Sequence, residues 1–178
     1  MKKKLYLDMD GVVFDTYGTL GEVKQYLKNN KDDLGIDSKD ISDAAWVYLY
    51  SNYDKIKTMP YFTEVLGLLK GSFDITFVSM YVSEEEYAYK EYFARSLNLP
   101  IVLLDSKKHE DKSSVDMSEG YFIDDNPNYL KSSNASKKFL MAKGLAYYLS
   151  ILQSKSSHIV VQDWVDVGIR LGVLNGKE

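Results

Sequence analysis

Short apolar runs alternate along the chain with segments whose apolar side chains recur at helical spacing. Six runs have the length and composition of buried strands. They comprise residues 5–7, 75–78, 101–104, 121–123, 139–141 and 159–161. The segments with helical spacing comprise residues 61–70, 84–97 and 163–171. This alternation predicts an α/β fold in which a Rossmann-like parallel sheet is covered by helices on both faces.

Residues 16–59 interrupt this alternation. The stretch contains a polar segment followed by an aromatic segment at 46–53, and neither has the pattern of a strand. We interpret the stretch as a small helical insertion after the first strand. Pro60 marks the return to the main fold, so residues 1–15 and 60–178 are predicted to form the core.

The composition limits the chemistry that the chain can perform. Its 178 residues suffice for one α/β domain with a small insertion. It has no cysteine and only two histidines, which disfavours thiolate sites, histidine-rich zinc sites and serine–histidine triads. Catalysis must therefore rest on carboxylates, lysines and hydroxyls. The lack of cysteine also fits a cytoplasmic protein. A serine-rich segment at 154–157 is predicted as a surface loop.

The charge pattern bears on possible partners. The formal net charge is −4, and no long basic run is present. A general nucleic-acid binder is usually basic, so nucleic acid is disfavoured as a partner. A small anionic substrate is compatible, because a metal and a few lysines can supply local positive charge. No apolar stretch approaches the ~18 residues of a membrane span, so no membrane partner is expected. A homodimer remains open.

Acids and a hydroxyl follow three of the predicted strands. Asp8 and Asp10 follow the first, Ser79 follows the second, and Asp124 and Asp125 follow the fourth. In an open α/β sheet, ligands bind beyond the carboxyl ends of the strands, near the point where the strand order reverses. We therefore expect these side chains to converge on one crevice.

Such a cluster suits the hydrolysis of a phosphate monoester. Clustered carboxylates repel one another unless a cation joins them, and Mg²⁺ prefers oxygen ligands and substrate phosphate. With Mg²⁺ between Asp8 and Asp124, Asp8 could attack phosphorus and form an aspartyl-phosphate. Asp10 could protonate the leaving oxygen and later activate water. Ser79 and neighbouring backbone N–H groups could hold phosphate oxygens.

Three segments resemble motifs of the haloacid dehalogenase (HAD) superfamily. Residues 8–13 (Asp-Met-Asp-Gly-Val-Val) resemble its first motif. Residues 77–79 (Phe-Val-Ser) resemble the second, and residues 122–127 (Phe-Ile-Asp-Asp-Asn-Pro) resemble the fourth. The order of the motifs matches along most of the chain outside the insertion.

This resemblance implies a HAD-like core with a cap at the insertion. It also implies that Asp8 is the nucleophile and Asp10 the acid/base. Mg²⁺ would be held by Asp8, the backbone carbonyl of Asp10 and Asp124. Asp125 would be a further ligand, directly or through water.

The resemblance further implies a phosphate site formed by Ser79, the adjacent Met80 and a lysine. Candidates for the lysine are Lys107, Lys108 and Lys112. Lys112 is favoured, because the segment Asp-Lys-Ser-Ser-Val that contains it resembles the Asp-Lys-Thr pattern of the 5′(3′)-deoxyribonucleotidase branch. That branch implies nucleoside monophosphates as substrates, although its second motif usually contains threonine.

Phe14 and Tyr17, just past the nucleophile, and Trp46 of the insertion are candidates for contact with the substrate. Aromatics at the spacing of 46–53 can equally fill a small helical core. Several functions stay open: a phosphatase of sugar phosphates, a phosphotransferase or mutase, a nucleic-acid 3′-phosphatase, and a binding module. The presence of both Asp8 and Asp10 disfavours the last.

Overall fold

Six parallel strands form the centre of the structure, a computed structural model that describes residues 1–142, 144 and 158–176. The strands are β1 (Lys3–Leu7), β2 (Phe73–Tyr81), β3 (Ile101–Asp105), β4 (Gly120–Asp124), β5 (Lys137–Met141) and β6 (Ile159–Val161). Their order across the sheet is β3-β2-β1-β4-β5-β6. All neighbouring pairs are parallel. The predicted α/β class and each predicted strand are confirmed. The serine-rich segment 154–157 lies outside the described residues.

Helices connect and cover the strands. They are α1 (Thr16–Asn29), α2 (Lys31–Leu34), α3 (Ile41–Ser51), α4 (Phe62–Ser72), α5 (Glu84–Ser96), α6 (Pro127–Ser132) and α7 (Trp164–Arg170), with a 3₁₀ turn at Tyr53–Lys55. The helices predicted at 61–70, 84–97 and 163–171 correspond to α4, α5 and α7. Within the described residues, no helix is long and apolar enough to cross a lipid bilayer.

Polar caps determine where the helices near the sheet begin. The side chain of Ser83 accepts a hydrogen bond from the backbone N–H of Glu86 at the start of α5. The side chain of Asp163 does the same for Asp166 at the start of α7. Each cap satisfies a backbone donor that the first helical turn leaves without a partner.

The central strand β1 determines which chain segments meet at the carboxyl edge of the sheet. Leu7, the last residue of β1, is paired with Phe77 of β2 on one side and with Ile123 of β4 on the other. The strand order reverses between β1 and β4, which is where open α/β sheets bind ligands. The residues that follow Leu7, Phe77 and Ile123 therefore lie next to one another.

The regular elements of the segment 16–59 are helices, and two of them, α1 and α3, pack against each other. Two hydrogen bonds join its ends to the rest of the chain: Asp15 N–H donates to Lys57 O at 2.8 Å, and Met59 N–H donates to Val13 O at 2.7 Å. Entry and exit therefore lie side by side. The division of the chain into a core and a cap at 16–59 stays a prediction.

Candidate active site

A cavity of about 230 Å³ opens beyond the carboxyl ends of β1, β2 and β4. Its lining includes four polar residues at or just after the ends of these strands, Asp8, Asp10, Ser79 and Asp125, and also Lys112 from the loop before β4. The cavity lies where the register of β1 with its two neighbours brings the strand ends together. Four of the five side chains that were predicted to converge line this cavity, and the fifth, Asp124, is buried next to Asp8 and Asp125.

Lys112 lines this cavity and lies between two carboxylates. Its Nζ lies 2.7 Å from Asp8 Oδ1 and donates to Asp124 Oδ2 at 2.7 Å. Its side chain is completely buried. Burial alone would lower the pKa of Lys112, but the carboxylates of Asp124 and Asp8 outweigh it and raise the pKa. The ammonium group therefore stays charged.

The hydrogen-bonding contacts of the Asp8 carboxylate involve one of its two oxygens, Oδ1. Among the described residues, its hydrogen-bonding neighbours are the backbone N–H of Met9, at 2.7 Å, and the Lys112 ammonium. Both contact Oδ1. The second oxygen, Oδ2, takes no part in these two contacts.

Three buried acids, Asp8, Asp124 and Asp125, form one cluster. One oxygen from each can be chosen so that all three lie within 4.8 Å of one another. Burial, together with repulsion from Asp8 and Asp125, raises the pKa of Asp124 to about 8, although Lys112 opposes the shift. Three carboxylates and one ammonium carry a net charge of two negative units when ionised. A divalent cation with a preference for oxygen, such as Mg²⁺, balances that charge and fits this donor set.

A tight turn follows β1 and lies against Asp125. The backbone N–H groups of Val13 and Phe14 both donate to Met9 O at 2.8 Å. Gly11 has a φ of +69°, and a Cβ atom there would lie 2.5 Å from Asp125 Oδ2. Only glycine allows this conformation and this close approach at low cost. The indole N–H of Trp164 donates to Val12 O at 2.7 Å and supports the turn from α7.

Asp10 is held by donors from three different elements. Thr16 at the start of α1 donates to its Oδ1 at 2.9 Å, and the Tyr53 hydroxyl donates to the same oxygen. Lys90 on α5 donates to its Oδ2 at 2.5 Å. Burial would raise the pKa of Asp10, but the charge and hydrogen bond of Lys90, with help from Tyr53, lower it. The side chain is still 29% exposed, toward the cavity.

The other predicted site residues fall into three groups. Lys112 contacts the acids, whereas Lys107 and Lys108 are exposed, and Lys108 is 76% exposed beside Asp105. Ser79, Met80, Tyr17 and Trp46 line the cavity. Thus Lys112 is the candidate lysine that the structure brings to the acids.

Phe14 was expected near the substrate, and this expectation is wrong. Its side chain is fully buried and is not among the cavity-lining residues. It packs against the rings of Tyr53, Tyr89 and Phe93, with the Phe93 centroid 4.8 Å away. The turn after Asp10 points the Phe14 side chain into this aromatic cluster instead of toward the cavity.

The sequence did not predict the roles of Lys90 and Glu86. It also did not predict the hydrogen bonds that Tyr53 and Trp164 donate to the turn after β1. Glu86 lies in the first turn of α5, where acidic residues are common because they interact favourably with the helix dipole. The available signal was the spacing of Glu86, Lys90 and Ala94, which places a charged pair on the same helix face as a small apolar residue.

No protein-family model and no curated protein matches the sequence. The fold, by contrast, matches solved structures over almost its whole length. A haloacid dehalogenase-like family hydrolase from Streptococcus pneumoniae has a TM-score of 0.63 and 12% identity, with coverage of 96% of this chain and 98% of that one.

A protein from Lactobacillus plantarum described as a phosphoglycolate phosphatase has a TM-score of 0.59 and 15% identity, covering 98% of this chain and 100% of that one. A protein from Bacteroides vulgatus described as a β-phosphoglucomutase has a TM-score of 0.58 and 13% identity, covering 97% and 88%. At such low identities these likenesses show a shared fold. The function has to be argued from the site itself.

Proposed function

We propose that the chain is a HAD-type, Mg²⁺-dependent phosphate-monoester hydrolase with Asp8 as its nucleophile. The observation that carries the proposal is the placement of Asp8 at the end of the central strand, bound to Lys112 beside Asp124 and Asp125. This group offers a carboxylate oxygen for attack, a buried ammonium for phosphate and a donor set for a divalent cation.

Asp8 supplies the attacking atom. Because Met9 N–H and the Lys112 ammonium both contact Oδ1, Oδ2 is the oxygen that attacks phosphorus. The new bond joins Oδ2 to phosphorus, and the bond from phosphorus to the leaving oxygen breaks. The leaving oxygen takes the electron pair and a proton from the protonated form of Asp10, a form that Lys90 makes less abundant by lowering the pKa of Asp10. The product of this step is an aspartyl-phosphate and a free alcohol.

Asp10 completes the cycle in the second step. It accepts a proton from water while the water oxygen attacks phosphorus and the bond to Asp8 breaks. Inorganic phosphate leaves, and Asp8 is restored as a carboxylate. The proton gained from water replaces the proton given to the leaving group, so Asp10 ends the cycle as it began.

Asp8, Asp124, Asp125 and the backbone carbonyl of Asp10 would hold Mg²⁺. The cation supplies charge neutralisation of the phosphate and of the clustered carboxylates. Ser79, Met80 and Lys112 surround the remaining side of the phosphate site. Lys112 offers a fixed positive charge, because its flanking carboxylates keep it protonated.

The proposed substrate is a nucleoside 5′-monophosphate, which is a small phosphorylated metabolite that carries a planar base. Supporting this choice, several aromatic residues line the cavity, including Tyr17, Trp46 and Tyr50. Trp46 and Tyr50 are stacked on each other, with centroids 5.4 Å apart. Aromatic side chains bind bases by stacking, with modest dependence on which base is present.

The proposal is tested by phosphate release from a panel of monoesters with Mg²⁺ or with EDTA. The panel contains ribo- and deoxynucleoside 5′- and 3′-monophosphates, sugar phosphates and an aryl phosphate. We expect release that EDTA abolishes and that is fastest for nucleotides. Release from sugar phosphates alone would refute the nucleotide substrate. If no ester is hydrolysed by folded protein with bound Mg²⁺, the hydrolase proposal is refuted.

A further inference from the structure

Lys90 is a buried lysine on α5 with acceptors on several sides. Four acceptors lie within hydrogen-bond distance of its Nζ: Asp10 Oδ2 at 2.5 Å, Glu86 Oε1 at 2.6 Å, Met80 O at 2.6 Å and Ser79 Oγ at 3.0 Å. The ammonium has three N–H groups, so two of these acceptors share one of them. The Lys90 side chain is fully buried, and it is not among the cavity-lining residues. Lys90 therefore contacts residues of the site but does not line the cavity in which a substrate would bind.

Its contact with Asp10 restrains a carboxylate that must face the leaving group. Thr16 and Tyr53 hold Oδ1 from one side, and Lys90 holds Oδ2 from the other. Without Lys90, both remaining donors act on a single oxygen, and the carboxylate can turn about that oxygen. A small misplacement of a proton-transfer group can slow a reaction severely.

Its contact with Ser79 determines where the serine proton points. The Ser79 oxygen accepts a hydrogen bond from Lys90, so the hydroxyl proton must be directed elsewhere. The neighbouring Met80 carbonyl lies 3.4 Å from Ser79 Oγ, which is long for such a bond. Since Ser79 lines the cavity, its proton is available to a phosphate oxygen.

Glu86 anchors Lys90 from one turn earlier in the same helix. Its Oε1 accepts from Lys90, and its Oε2 accepts from the backbone N–H of Val82 at 2.8 Å. Asp10 and Glu86 together raise the pKa of Lys90 against the effect of its burial. The lysine is therefore fixed between α5 and the carboxyl end of β2 as a charged group.

We propose that Lys90 is a positioning residue that holds the Asp10 carboxylate and the Ser79 hydroxyl in the orientations that phosphate-ester hydrolysis uses. This inference rests on the proposed function. Loss of Lys90 also removes a charge that lowers the pKa of Asp10, which by itself would favour protonation of the leaving group. A positioning role predicts that this protonation is damaged in spite of that effect, whereas a purely electrostatic role predicts that it improves.

The test compares two esters in full-length Lys90→Met protein with Mg²⁺. One is 4-nitrophenyl phosphate, whose leaving group departs without protonation, and the other is an alkyl phosphate, whose leaving oxygen needs a proton. Values of kcat/KM report the steps up to departure of the leaving group. We expect the aryl-to-alkyl ratio of kcat/KM to rise about 30-fold over wild type, within the range of general acid catalysis. Weaker phosphate binding through Ser79 lowers both values equally and leaves the ratio unchanged.

A double variant separates positioning from a general structural effect. If Lys90 acts through Asp10, Asp10→Asn with Lys90→Met has the same ratio as Asp10→Asn alone. Arg95→Met is the matched control, because it breaks another i,i+4 ion pair on α5, with Glu91, at the surface. It should keep the wild-type ratio. If Lys90→Met fails to fold, the double variant Glu86→Gln/Lys90→Met replaces it. This double variant removes one buried charge of each sign, and the ratio of the two esters is measured in it in the same way.

Two failures can be told apart. Folded Lys90→Met protein that keeps or lowers the wild-type ratio overturns this inference and leaves the hydrolase proposal standing. Wild-type protein that hydrolyses neither ester overturns the hydrolase proposal, and the inference falls with it. A ratio that rises equally in Arg95→Met would show a general effect of α5 and would also overturn the inference.

Discussion

The ammonium of Lys112 lies 2.7 Å from Asp8 Oδ1, at the end of the central strand of the sheet. The same ammonium donates to Asp124 Oδ2 at 2.7 Å. It thereby joins the ends of β1 and β4, two strands that are far apart in sequence. One buried lysine thus supports both the fold at the switch point and the charge of the site.

Replacing Lys112 with alanine should weaken both the site and the fold. Removal of one partner from a buried charged group typically costs about 3–5 kcal/mol. We also expect a large rise in KM for any hydrolysed ester, because a fixed charge at the phosphate is lost. Chemical denaturation and steady-state kinetics measure the two effects. Lys108→Ala is the matched control, since that side chain is 76% exposed. If Lys108→Ala impairs phosphate binding and Lys112→Ala does not, the assignment of Lys112 is wrong.

The acid cluster should make stability depend on pH when Mg²⁺ is absent. The pKa of Asp124 is raised from 3.8 to about 8, chiefly by burial and then by Asp8 and Asp125, against the opposing charge of Lys112. Folding therefore favours the protonated form, and this stabilisation is present below pH 4 and lost as the pH rises toward 8. Mg²⁺ competes with the proton, so it should raise Tm more at pH 8 than at pH 5. Thermal unfolding with EDTA or Mg²⁺ measures this.

Asp124→Asn provides the control for that experiment. The variant cannot ionise at this position, so it should lose most of the difference between the Mg²⁺ effects at the two pH values. If wild type and Asp124→Asn respond to Mg²⁺ and pH in the same way, Asp124 is not part of a metal site.

Gly11→Ala should damage the acid cluster through a single methyl group. The added Cβ would lie 2.5 Å from Asp125 Oδ2, and the φ of +69° disfavours any L side chain. We expect a loss of about 1–2 kcal/mol or more in the free energy of unfolding and weaker Mg²⁺ binding by calorimetry. Gly21→Ala, in α1, is the control: its Cβ meets nothing within 4 Å, and helix propensity predicts a slight gain in stability. Equal effects of the two variants would contradict this account of the turn.

Trp46→Ala tests the nucleotide proposal. Loss of a stacking surface typically costs about 1–3 kcal/mol per base, so kcat/KM for a nucleoside monophosphate should fall roughly 5- to 150-fold. The value for a small sugar phosphate should change little. Tyr48→Ala, on the same helix but 45% exposed and outside the cavity lining, should leave both substrates unaffected. If Trp46→Ala lowers kcat/KM for both substrates equally, Trp46 does not bind a base.

The sheet and the polar residues at its carboxyl edge were predictable from the sequence, because buried parallel strands are short apolar runs and their ends share one edge. Asp8, Ser79 and Asp124 follow such runs directly, so strand order alone brings them together. Lys112 belongs to a loop before β4, and its selection over Lys107 depended on the family resemblance. Periodicity carries no information about which lysine of a polar loop turns inward.

Lys90 and Phe14 show where pattern reasoning fails. Glu86 and Lys90 are an i,i+4 pair, which usually marks an exposed helix face. Only the rotation of α5 against β2 buries the pair beneath Asp10. Phe14 follows Asp10 closely in sequence, yet the intervening turn reverses the direction of its side chain. Both outcomes depend on tertiary geometry that the local sequence does not encode.

Detection of a phosphoryl group on Asp8 tests the central claim most directly. The Asp10→Asn variant, which slows hydrolysis of the intermediate, is mixed with Mg²⁺ and an aryl phosphate, quenched in acid, digested and analysed by mass spectrometry. We predict a phosphorylated peptide that contains Asp8 and that loses its phosphate on treatment with hydroxylamine. The same peptide should carry no phosphate in Asp8→Asn protein, and the catalytic rate of that variant should fall by roughly three orders of magnitude. Phosphate release without modification of Asp8, or an Asp8→Asn variant that keeps more than about a few per cent of the wild-type rate, would contradict the account.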